Sequence, residues 1–82
     1  MTTTPGATIT YSVPHEGAVK ISLHDATGRL VRTLVDSAPG RGTHGLTWDG
    51  TDNQGRRVRA GICFAQASAG QDRVTRRVVL IR

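Results

Sequence analysis

The chain has 82 residues, 37% hydrophobic and 21% charged, with a formal charge of +5. That composition describes one small globular domain and excludes a disordered segment. No apolar run approaches the roughly 20 residues needed to span a bilayer as a helix, and the lone Cys63 excludes a disulfide within the chain.

Residues 1–6, Met-Thr-Thr-Thr-Pro-Gly, read as a linker or frayed end, with neither the basic nor the apolar stretch of a signal peptide. The folded domain is expected over residues 7–82. Ile9, Tyr11 and Val13 alternate with Thr and Ser up to Pro14, a first strand. Val19, Ile21 and Leu23 give a second strand its inner face. Asp25-Ala-Thr-Gly28 has the Asp-first, Gly-last pattern of a type I turn, and Leu30–Val35 returns as a hairpin partner. Leu30 and one further apolar residue are expected to face inward, although the Leu30-Val31 and Leu34-Val35 pairs leave the register open. Residues 36–43 form a loop dense in turn formers.

Leu46 and Trp48 alternate on the next strand, which Asp49-Gly50 and Asn53-Gln54-Gly55 stop and turn. A short strand around Arg56–Arg59 leads through Ala60-Gly61 to another at Ile62–Ser68. Val58, Ile62 and Phe64 continue the apolar alternation, which sends Cys63 to the opposite face as a partly buried packing residue. After the turn at Ala69-Gly70-Gln71, Arg73–Ile81 closes the domain with Val74, Val78 and Leu80 on one face. Nothing sustains a helical period, so six or seven short strands predict an all-β, immunoglobulin-like antiparallel β-sandwich. With Tyr11, Trp48 and Phe64 as the only large aromatics, the core rests on Val, Ile and Leu, and Trp48 is its largest member.

Three constellations invite chemistry. Asp49, Asp52 and Asn53 cluster oxygens in a Gly-bounded loop, as calcium requires, but the twelve-residue layout with a closing Glu is missing. Asp25 or Asp36 would have to supply further ligands; the ordinary role of such a cluster is to cap turns. His15, His24 and His44 have no metal-ligand spacing with one another or with Cys63, although His24 and His44 can meet across strands. There is no Gly-x-Ser-x-Gly elbow, no glycine-rich loop leading into a helix, and Glu16 is the only Glu. No catalytic, cofactor or metal site is predicted, and the chain is not expected to be an enzyme. Its ten Arg, from Arg29 to Arg82, are scattered without interleaved aromatics, so no specific nucleic-acid partner is predicted either.

Several segments resemble one family in order and spacing. They are Thr8-Ile-Thr-Tyr-Ser-Val-Pro14, Val19–Leu34 with its Asp25-Ala-Thr-Gly-Arg29, Gly42–Gly55 with its Trp48-Asp-Gly-Thr-Asp52, and Val58–Phe64. Together they resemble the immunoglobulin-like domain of the flagellar hook-capping protein FlgD, over essentially the whole chain from Thr8 to Arg82. Type IX secretion C-terminal sorting domains are similar in layout. Cys63 and His24 stand where that family commonly has aromatics. The resemblance implies a non-catalytic interaction module, the C-terminal domain of a larger exported bacterial protein, serving secretion sorting, surface attachment or assembly. It implies an extracellular or cell-surface location and a partner that is a protein or the upstream domains. The alternatives are a scaffold domain for flagellar hook assembly, or a carbohydrate- or nucleic-acid-binding module. Arg73–Ile81 is expected at a sheet edge, with Arg76 and Arg77 either blocking uncontrolled pairing or meeting an acidic partner.

Overall fold

A computed structural model describes residues 2–81 and contains seven strands among them, in two sheets. The strands are β1 (Thr2–Thr3), β2 (Thr8–Val13), β3 (Val19–His24), β4 (Leu30–Ser37), β5 (Gly42–Thr47), β6 (Gly61–Ala69) and β7 (Asp72–Leu80). One sheet has the order β1-β7-β6-β3-β4, and the other pairs β2 with β5. All pairings are antiparallel except that of β1 with β7. This is the expected all-β sandwich. The ends of the predicted linker and domain, Met1 and Arg82, lie outside the described residues.

Both inner faces follow the period-two pattern of β2 and β3. Leu23, Trp48, Val78 and Leu80 form one buried cluster, and Val13, Val19 and Ile21 form a second. Leu34 packs against both, which joins the two clusters along the sandwich axis.

The structure departs from the sequence reading at six places; in the first, the loop expected over 36–43 shortens to 38–41, because β4 runs to Ser37 and β5 starts at Gly42. Thr2–Thr3, placed in a linker by composition, pair with Val79 and Leu80, and Thr3 is buried. The backbone of β7 is open there, so even a two-residue segment gains hydrogen bonds by docking. In β4, Leu30 is exposed while Val31 and Leu34 pack inward. Two register shifts opposite Ile21/Ser22 and Leu23/His24 account for this, since each adds one residue to β4 and turns Val31 or Leu34 toward the core.

β6 is inverted relative to the expectation: Cys63 is buried, whereas Ile62 is half-exposed at 51%. Pairing of Leu23 with Ala65 and of Val78 with Cys63 puts Cys63, Ala65, Ala67 and Ala69 on the inner face. Of these, Ala65 packs against the Trp48 cluster, and Ala67 and Ala69 pack against the cluster of Val13, Val19 and Ile21. The expected strand around Arg56–Arg59 reduces to a single bridge between Thr51 and Arg57, and Trp48 falls just after β5. Finally, Val74 shares the inner face with Val78 yet is exposed, because the two-stranded sheet does not extend over the start of β7.

Candidate functional site

The distinctive stretch from Trp48 to Val58 folds as a loop docked on the edge of β4. Trp48 anchors it: the ring is buried, and its Nε1–H donates to the Thr51 carbonyl at 2.9 Å. From β4, Arg32 Nη1 donates to the Thr51 hydroxyl at 3.0 Å and to the Asp52 carbonyl at 2.9 Å. Asn53 completes the seam by imitating a neighbouring strand. Its backbone N–H donates to the Val31 carbonyl at 3.1 Å, and its Oδ1 accepts from the Thr33 amide at 3.0 Å. The loop thereby satisfies backbone groups that an exposed sheet edge would leave open.

Asp52 and Asp25 build two turns of the same design. In each, Oδ1 accepts the amides two and four residues on: Thr27 and Arg29 for Asp25, Gln54 and Arg56 for Asp52. In each, the Asp carbonyl accepts from the Gly three residues on at 3.0 Å. Gly28 and Gly55 sit at φ 88° and 80°, where a Cβ would strain the backbone. The two turns flank a shallow recess of roughly 420 Å³ at one end of the sandwich, which Arg29, Arg56 and Arg57 also line. Asp25-Ala-Thr-Gly-Arg29 and Asp52-Asn-Gln-Gly-Arg56 spell this repeat directly, a signal that reading each turn by itself passes over.

The oxygens that calcium would need are largely engaged by the chain itself. Asp49 Oδ1 accepts from the Thr51 amide and hydroxyl, Asp52 Oδ1 from two amides, and Asn53 Oδ1 from Thr33. Asp52 Oδ2 lies 3.6 Å from Arg56 Nε, and Asp36 lies in β4 opposite Lys20. Among the described residues no group of three or more His, Cys, Asp or Glu side chains is placed to hold a metal ion. His24 and His44 stand in different sheets. His24 Nδ1–H donates to the Gly28 carbonyl at 3.3 Å, and Nε2 is hydrogen-bonded with the Ser22 hydroxyl at 3.0 Å. His44 donates from Nε2 to the Gly40 carbonyl at 2.7 Å and packs on Tyr11 with ring centroids 5.5 Å apart. His24 thereby ties its strand to the Asp25 turn.

These bonds set the acid response. The hydroxyls of Thr27 and Thr51 hold Asp25 and Asp49 below the usual carboxylate range, and the Arg56 amide does the same for Asp52. A carboxylate with a lowered native pKa stabilises the fold above its unfolded value of about 3.9, and this contribution is lost as pH falls through the native value. The thermal midpoint is therefore expected to hold from pH 7 to about 4 and to drop below it. Changing Asp25, Asp49 and Asp52 together to Asn should flatten that drop, a comparison readable by calorimetry at stepped pH. An equal drop in the triple variant would assign the acid response to general charge repulsion.

Known proteins share this architecture. FlgD from Xanthomonas campestris, whose structure is described in terms of the hook capping essential for flagellar assembly, superposes with a TM-score of 0.66. It is 26% identical, with 92% of this chain and 55% of that chain covered. FlgD from P. aeruginosa shares the fold at a TM-score of 0.62 and 21% identity, with 83% of this chain and 54% of that one covered. The chain thus spans about half the length of either FlgD structure. No curated protein matches it. A model of the family described as FlgD Ig-like domain matches residues 2–72, and the chain belongs to that family.

Proposed function

We propose that the chain is a non-catalytic scaffold module of a flagellar hook-capping protein, presenting loops and strand edges to the proteins with which the hook is assembled. The observation that carries this reading is the likeness to X. campestris FlgD over 92% of the chain. The self-contained Trp48–Val58 loop agrees with it, because its polar atoms serve to hold the fold. Secretion sorting or surface attachment, the leading expectation from sequence, has less support, since both solved relatives are FlgD proteins. An exported, extracellular location and an assembly partner are parts of the same proposal. No helix among the described residues is long and apolar enough to cross a membrane.

The test is to delete the segment encoding residues 2–81 in frame from its native gene and to examine the cells. Hookless, non-motile cells, with the truncated parent protein still exported, are the expected result. Normal hooks with a mislocalised parent protein would overturn the proposal in favour of sorting.

A further inference from the structure

The five-stranded sheet turns one face to the Trp48 core and the other to solvent. Its register arranges the solvent face in rows across the strands. Lys20, Ser68 and Arg73 form one row on β3, β6 and β7, and Ser22, Gln66 and Thr75 form the next. Leu30, His24 and Phe64 stand in a third row, and Ile62 and Val79 in a fourth. The face is thus graded along its strands from cationic, through hydroxyl and amide, to apolar. A shallow trough of roughly 270 Å³ lies at the cationic end, and its lining holds Lys20 and Arg73 but no carboxylate. At the apolar end Phe64 and Val79 are half-buried, whereas Leu30 and Ile62 are 48% and 51% exposed. A sheet face turned to water is ordinarily polar, so apolar side chains grouped at one end of it mark a contact surface.

We infer that this face docks a partner protein that brings a carboxylate side chain to the trough and an apolar contact to Leu30, Phe64 and Ile62. Lys20 and Arg73 flank Ser68 two strand spacings apart, about 10 Å between backbones, so both long side chains reach one carboxylate placed over it. Among the described residues neither is in an ion pair. Gln66, Ser68 and Thr75 add neutral hydrogen-bond donors along the same trough. Asp36 stands beside Lys20 on β4 but outside the trough, which leaves the trough itself positive. Complementarity therefore selects an acidic partner, whereas a second copy laid face to face would bring like charges together. A nucleic acid would find no exposed aromatic there on which to stack its bases, since Phe64 is half-buried. The inference rests on the scaffold reading in taking the partner to be a protein of the hook assembly, and it adds the surface and the chemistry of contact.

The test reverses the trough in the native gene and counts hooks. Lys20→Glu with Arg73→Glu, both at exposed positions, should leave the thermal midpoint of the chain nearly unchanged and the parent protein exported. Hooks per cell should nevertheless fall at least about tenfold. Leu30→Asp with Ile62→Asp should do the same. Lys20→Arg with Arg73→Lys should keep the hooks, and so should Arg41→Glu with Arg59→Glu, an equal charge change at exposed loop positions off this face. Motile revertants of the trough reversal are expected to carry an acidic-to-basic substitution in another protein. Normal hooks in the reversal variants, an equal loss in the Arg41 and Arg59 control, or revertants confined to this chain would overturn the proposal. Dimerisation of the chain that the trough reversal abolishes would also overturn it, naming a second copy as the occupant. Normal hooks after deletion of the whole domain would instead strike the scaffold reading, so the two failures are told apart.

Discussion

Replacing Trp48 with Ala is expected to cost about 3–5 kcal/mol of folding stability. A domain of this size holds only roughly 4–12 kcal/mol in total, at 0.05–0.15 kcal/mol per residue. A large fraction of the variant should therefore be unfolded at 25 °C. Two effects combine at this site. The ring fills the space among Leu23, Val78 and Leu80, and burial of such a ring withdraws about 150–250 Å² from water. Its Nε1–H also holds the Thr51 carbonyl, the first of the ties that dock the loop on β4. Trp48→Phe separates the two, because it keeps most of the apolar contact and removes the donor. Its expected cost is about 1–3 kcal/mol, the penalty of one lost buried hydrogen bond. Urea unfolding followed by far-UV circular dichroism reads both variants without relying on tryptophan emission. If Trp48→Ala cost less than Trp48→Phe, the ring would not be the keystone of this core.

Introducing a carboxylate at Cys63 and at Ile62 should give opposite results. Cys63→Asp is expected to cost about 3–5 kcal/mol, since the carboxylate would be buried opposite Val78. Ile62→Asp, one residue away, should change stability by less than about 1 kcal/mol, as exposed substitutions ordinarily do. The native thiol supplies an independent readout. Burial pushes its pKa up, so a thiol reagent should modify native Cys63 slowly and the urea-unfolded chain rapidly. Rapid labelling of the native chain, or equal costs for the two variants, would mean that β6 presents its other face to the core.

Cys63 also marks where the sequence ceases to be legible. Period-two reading treats Ile62 and Phe64 as inward because they are the larger apolar residues. The inner face of β6, however, carries the smaller residues Cys63, Ala65, Ala67 and Ala69, because its register with β3 and β7 turns them inward. That run reads as an inward face only once its partners are known, Ala65 in the Trp48 cluster and Ala67 and Ala69 against Val13, Val19 and Ile21. Leu30 was misplaced for a related reason: hydrophobicity cannot locate a bulge, and two bulges decide which residues of β4 turn inward. The candidate site was half legible. Asp, Asn and Gly at 49–55 announce turns, and the turns are there. That Asn53 reaches across to β4 and stands in for a strand depends on a contact with a residue twenty positions earlier.

Legible in the residues alone are the all-β class, the inward faces of β2 and β3, the turns at 25–28 and 49–55, and the resemblance to the FlgD domain. These follow from alternation, turn chemistry and residue order, which are local properties of the chain. Tertiary structure alone decided which face of β6 is buried, where β4 bulges, that Thr2–Thr3 join β7, and that Val74 stays exposed. Each of those depends on what lies opposite in space: a register between distant strands, or a two-stranded sheet that stops short of its neighbour's edge.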